Sequence, residues 1–195
     1  MRKKILAVFL IFTILVALLA PTNANAYTKL GRVMTKASAK NFKIYINGSA
    51  KGFKNIIISG AKSWNPSPYL NTISVGNDVK PNFTVSSSNT NKGSVLAVCN
   101  STYNTSNKLI FKNEITLYKG FRSLSNNHKI ETVAHEFGHG FGLGHVKTRN
   151  AIMLDKGFIN KTKQNKTKQN KTKQNKTKQN RKQMILMVLN LYTSK

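Results

Sequence analysis

The sequence predicts an α+β domain with helices packed on a twisted sheet. Three observations carry this. Lys51 to Trp64 places Phe53, Ile57, Ala61 and Trp64 at helical spacing. Several short β-rich runs separated by polar loops lie between Thr72 and Tyr118. A second helical stripe, made by Ile130, Val133, Ala134, Phe137 and Phe141, follows them. A strand, a helix, several strands and a last helix, in that order, suit helices laid on a sheet.

Taken in order, the chain opens on a secretory signal over residues 1–26. Arg2, Lys3 and Lys4 form a charged start, Ile5 to Ala20 an apolar run, and Ala24-Asn25-Ala26 a small-residue cleavage site. The apolar run is shorter than the roughly 20 residues a membrane helix needs, so no stable span is expected after cleavage. The folded domain is expected over residues 27–160. Asn41 to Ile46 alternates as a strand does, and the Lys51–Trp64 helix is broken by Asn65-Pro66-Ser67-Pro68. Thr72 to Val75, Asn82 to Ser86, Val95 to Cys99 and a stretch of Leu109 to Tyr118 are the further strands. Ser87 to Gly93 and Asn100 to Asn107 read as polar loops. The last helix is expected to start near Asn127, an acceptable cap, and to end at Gly142 in a left-handed conformation.

Composition narrows the class. The formal net charge is +27. Residues 27–160 contribute eighteen Lys and Arg against five acids. A surface this basic attracts polyanions, such as anionic cell-wall polymers. Lys, Asn and Ile abundance also follows from A/T-rich coding, which requires no selected partner. No nucleic-acid-binding motif is present, and nucleic acid is not expected as a partner. Cys99 is the only cysteine, so no internal disulfide can form. That suits a bacterial exported protein, and Cys99 reads as a small buried apolar residue.

Chemistry concentrates in HEFGHGFGLGH, His135 to His145. His135 and His139 stand one helical turn apart on one face. A turn at Gly142 brings His145 back as a third ligand. Three neutral imidazoles and an open position make a catalytic zinc site. Zinc acidifies a water and polarises a carbonyl. Glu136, beside the first ligand, then serves as the general base that passes the proton to the leaving amine. His128 reads as a solvated residue at the helix start. The expected activity is therefore zinc-dependent hydrolysis of peptide bonds.

The stretch resembles the metzincin pattern HExxHxxGxxH, and AHEFGHGFGLGH is especially similar to matrixins, the matrix-metalloprotease group. Asn150-Ala151-Ile152-Met153 resembles the family's Met-turn, with Met153 beneath the metal. AKSWN resembles the end of its first helix and NFTVS its third strand. VLAVC resembles the edge strand that pairs with an extended substrate, which implies peptide binding by Val95, Leu96, Ala97 and Val98. The resemblance implies a metzincin-like domain. Its twisted mixed sheet is mostly parallel with an antiparallel edge strand, packed with an N-terminal helix and the zinc-binding helix. It also implies a monomeric secreted zinc endopeptidase. Val146, after the third histidine, leaves the subfamily open. Matrixins often carry calcium and a second zinc. One spare histidine speaks against the second zinc, and Asp78, Glu114, Glu131 and Asp155 give calcium weak support.

From Asn160 the chain reads KTKQN four times, a low-complexity repeat expected to be disordered, and residues 161–195 form an aberrant tail. Back-translated with A/T-leaning codons and read from the third base, Arg181 to Lys195 gives KTDDINGIKSLYK. That resembles the DxxGIxxLY helix that ends matrixin domains, so the tail reads as out of frame. The rival to an enzyme is a secreted basic surface-binding protein, or a frameshifted relic. Retention of Glu136 favours the enzyme.

Overall fold

The computed structural model describes residues 28–76, 79–147 and 152–155. The signal at 1–26, Asp78, Asn150-Ala151 of the expected Met-turn and the 161–195 tail lie outside them.

A six-stranded sheet organises the chain: β1 (Val33–Met34), β2 (Phe42–Ile46), β3 (Thr72–Ser74), β4 (Phe83–Ser87), β5 (Ala97–Tyr103) and β6 (Leu109–Leu117). Along the sheet the order is β1-β6-β4-β2-β3, with every neighbour parallel, and β5 joins β6 antiparallel. The mostly parallel sheet with an antiparallel edge strand is as expected. NFTVS is the third strand once the two-residue β1 is set aside.

Three helices, α1 (Lys36–Lys40), α2 (Lys54–Lys62) and α3 (Asn126–Phe141), complete the described regular elements, with short 3-10 turns at Gly48–Phe53 and Lys119–Ser123. The single helix expected over Lys51–Trp64 is thus divided. Asn47 caps the 3-10 turn by accepting from the Ser49 amide, and the α-helix begins only at Lys54. Pro66 cannot continue a helix and disfavours helical geometry before it. Trp64 therefore lies past the helix end, fully buried, and its indole N–H donates to the Ala134 carbonyl at 2.9 Å.

Two other boundaries differ. The cap of α3 is Ser125, whose hydroxyl accepts from the His128 amide, so the helix starts before Asn127. The strand expected at Val95–Cys99 runs instead from Ala97 to Tyr103, so Asn100 to Tyr103 are not loop. Four of the seven pairings of this strand with β6 hold them, with a register shift before Tyr103, and an edge strand with a wet face accepts polar residues. Leu96 still takes part, since its carbonyl accepts from the Tyr118 amide at 2.9 Å, while Val95 is exposed. β1 and α1 have no counterpart in the sequence reading. Thr35, which caps α1 by accepting from the Ser38 amide, was the available signal.

The core lies between sheet and helices. Phe42, Phe83, Phe137 and Phe141 are fully buried, with Phe83 and Phe137 ring centres 4.8 Å apart. Edge-to-face stacking of this kind is worth about 0.5–1.5 kcal/mol per pair beyond area burial. Of the stripe read as core, Val133, Ala134, Phe137 and Phe141 are buried, whereas Ile130, near the helix start, is only half-buried. Small residues on α3 let neighbours approach. A Cβ on Gly140 would overlap the Phe83 ring, and one on Gly138 would overlap the Met153 sulfur. No helix among the described residues is long and apolar enough to cross a membrane.

Candidate active site

α3 delivers His135 and Glu136 from successive positions and His139 one turn later. The helix then stops at Gly142, whose φ of +106° no L-residue adopts comfortably. The Gly142 amide donates to the His139 carbonyl at 2.9 Å and the Leu143 amide to the Gly138 carbonyl at 3.0 Å, the paired bonds of a Schellman ending. The chain beyond is clamped by the N-terminal segment. Leu30 donates to Gly142, Gly144 donates to Thr28, and the Thr28 hydroxyl donates to the His145 carbonyl. Val146 donates to Met153 and Asp155 donates to Val146, which closes the following loop. These bonds return His145 to the helix face.

The three imidazoles converge. Nε2 of His145 lies 3.2 Å from Nε2 of His135 and 3.1 Å from Nε2 of His139. A tetrahedral ion with Zn–N bonds of about 2.0–2.1 Å separates its ligand nitrogens by about 3.3 Å. The spacing therefore fits one zinc ion, and among the described residues this is the one group of His, Cys, Asp and Glu that could hold a metal. Three nitrogen donors suit zinc and not calcium.

The opposite ring nitrogens explain the tautomer. His135 Nδ1 lies 2.7 Å from the Ile152 carbonyl, His139 Nδ1 2.9 Å from the Leu143 carbonyl, and His145 Nδ1 3.0 Å from an Asp155 carboxylate oxygen. Each acceptor requires a proton on Nδ1 and so leaves the Nε2 lone pair facing the metal position. The Schellman turn that ends the helix also presents the Leu143 carbonyl that orients His139. Burial, reinforced by the neighbouring imidazoles, lowers the His135 pKa to about 4 and lowers that of His139. Both are neutral at physiological pH, the state a ligand needs.

Asp155 holds His145 through a pair that is about half exposed. Replacing a partner of this kind costs about 10–100-fold in metal affinity. Water can substitute at an exposed site, so Asp155→Ala is expected to weaken zinc binding by about tenfold, at the low end of that range. Competition with a chromophoric chelator measures this, and an unchanged affinity would show that Asp155 does not orient the ligand.

Glu136 is buried, and burial raises its pKa to about 7, partly offset by a hydrogen bond from the Cys99 amide. Met153 is fully buried against the Gly138 side of the helix. His128 lies outside the ligand group. Cys99 is partly buried, and burial pushes its thiol up to about 12. It is therefore a neutral thiol, without ligand or nucleophile character at neutral pH.

A cleft of about 470 Å³ runs over these residues. Val95, Leu96, Ala97 and Val98 all line it, although only Ala97 and Val98 belong to β5 proper. Because the Leu96 carbonyl faces β6, alternation turns the main-chain groups of Ala97 and Cys99 toward the free edge. Leu30, Arg32 and Asp155 also line the cleft and were not read from the sequence as site residues. Their place depends on how the N-terminal segment and the 152–155 loop fold back, and short-range patterns carry no trace of that.

A mostly parallel sheet with an antiparallel edge, an HExxHxxGxxH helix and a converged histidine triad define a metzincin-type zinc protease. Residues 33–146, more than half the chain, match metallo-peptidase family M12B, reprolysin-like, and the chain belongs to that family. A search of curated proteins returned no match. The family establishes a zinc-dependent peptidase acting on protein or peptide, and the histidine group is placed to bind the metal.

Proposed function

We propose that the chain is a secreted bacterial endopeptidase, matrixin-like in its active-site helix, with His135, His139 and His145 as zinc ligands and Glu136 as general base. The observation that carries the reading is the convergence of three Nε2 atoms beside a buried carboxyl, in a cleft bordered by a free strand edge. Zinc, when bound, supplies the Lewis acidity that acidifies water and polarises the scissile carbonyl. An extended peptide adds to the edge of β5, where Ala97 offers main-chain hydrogen bonds and Val95, Leu96 and Val98 shape the side-chain surface. A strand edge continuing to both sides of the reacting centre suits an internal peptide bond better than a chain end. Glu136 takes a proton from water and returns it to the departing amine. The signal at 1–26 supports export. The positive charge of residues 27–160 supports retention near anionic cell-wall polymers. The matrixin-like motif supports a monomer, and it alone leaves calcium open.

Metal removal tests the reading. A zymogram with casein should show cleavage that a chelator abolishes and added zinc restores. Zinc at about a hundredfold above its Kd should also stabilise the fold by about 2.7 kcal/mol, read as a rise in melting temperature. Zinc binding without cleavage of any peptide would favour the surface-binding rival.

A further inference from the structure

We infer that Arg32 makes the cleft selective for a substrate side-chain carboxylate. The inference rests on the peptidase reading. Arg32 lines the same cleft as the three histidines, from a segment that the sequence pattern left unread. Its backbone is held on both sides. Leu30 donates to the Gly142 carbonyl, Val33 donates to the Lys108 carbonyl and pairs with Leu109, and the Arg32 carbonyl packs against Gly142. The side chain stacks on Tyr103, with the guanidinium carbon 5.1 Å from the ring centre. An anchored guanidinium loses less freedom on binding than a free one.

Its charge is unspent. No carboxylate among the described residues pairs with Arg32, and its Nε is buried with no hydrogen-bond partner. The two acids lining the cleft are engaged elsewhere: Glu136 with the Cys99 amide and Asp155 with His145. A planar fork of donors without an acceptor, beside a peptide-sized cleft, suits a carboxylate. Position follows from the strand. Glu136 meets β5 at Cys99, Leu96 lies to one side of that point, and Tyr103 with Arg32 lies to the other. On a peptide laid antiparallel to β5, the Arg32 side holds residues before the cleaved bond. Tyr103 lies four residues past Cys99, so at about 3.4 Å per residue Arg32 addresses an acidic side chain up to about four positions before it.

The test uses zinc-loaded full-length Glu136→Ala protein, which retains peptide, and N-acetylated, C-amidated peptides whose one carboxylate is a Glu side chain. Each is compared with its Gln twin by fluorescence anisotropy, with Glu scanned through the four positions before the expected bond. The Glu peptide should bind about fivefold tighter at one position, as a partly exposed charge pair allows, and salt should reduce the difference. Arg32→Gln should remove the preference without altering the Gln peptide's affinity, and Arg32→Lys should keep part of it. Zinc stoichiometry reports that each variant is folded. Equal binding of the twins at every position, or a preference that survives Arg32→Gln, overturns this inference alone. Failure of zinc-loaded protein to bind any of the peptides overturns it together with the peptidase reading.

Discussion

Glu136→Ala is expected to lower kcat/KM by about 10²–10⁴-fold, the range for loss of a positioned general base. Zinc stoichiometry should not change, because Glu136 stands beside the ligand group and is not part of it. Nor should stability fall. The carboxyl is buried and its ionised form is disfavoured there, so removing it relieves a desolvation cost. The variant therefore separates chemistry from folding and from metal binding. Glu136→Gln, nearly isosteric, should be comparably inactive, since an amide cannot take the proton. Cleavage at the normal rate by either variant would remove Glu136 from the mechanism.

Gly142→Ala is expected to damage the fold and the site together. The φ of +106° and ψ of 13° strain any residue with a Cβ, at a cost of about 1–3 kcal/mol. The new Cβ would also overlap the Arg32 carbonyl, which is backbone and is anchored by the bonds of its neighbours. Overpacking of this kind adds about 1–3 kcal/mol. A total of about 2–6 kcal/mol is a large share of the roughly 5–15 kcal/mol that holds a domain folded. The same turn presents the Leu143 carbonyl to His139 and starts the return of His145, so zinc affinity should fall as well. Urea unfolding with and without zinc measures both effects. Gly142→Asn separates the causes, because Asn tolerates a left-handed backbone but keeps the overlap. A loss below about 1 kcal/mol in the Ala variant would mean that the turn has room the structure does not contain.

The histidine group was legible because its geometry is local. Two histidines one turn apart share a helix face whatever surrounds them, and a glycine after the helix permits the left-handed stop that returns the third. The core was legible for the same reason. Ile57, Ala61, Val133, Phe137 and Phe141 lie on the stripes that helical periodicity marks, and all are buried. Boundaries were less legible. Asn127 and Ser125 are both good caps, and the choice depends on which hydroxyl or amide meets the first free N–H. Asn100 to Tyr103 look like loop by composition, and only pairing with β6 makes them strand.

What the sequence determined by itself is the chemistry on offer: His135, His139 and His145 grouped where they could hold a metal, a carboxyl at Glu136, and a strand–helix order suited to an α+β fold. The tertiary structure alone decided what surrounds it. The Ile152, Leu143 and Asp155 acceptors that set the three tautomers come from the turn that ends α3 and from the loop after His145. Arg32 enters the cleft because residues 28–33 clamp the end of α3. Met153 packs against the helix because Gly138 leaves space for its sulfur. The difference is one of range. Helical spacing is written within a few residues of chain, whereas each of these contacts, except the one from Leu143 to His139, joins segments that only the packed fold brings together.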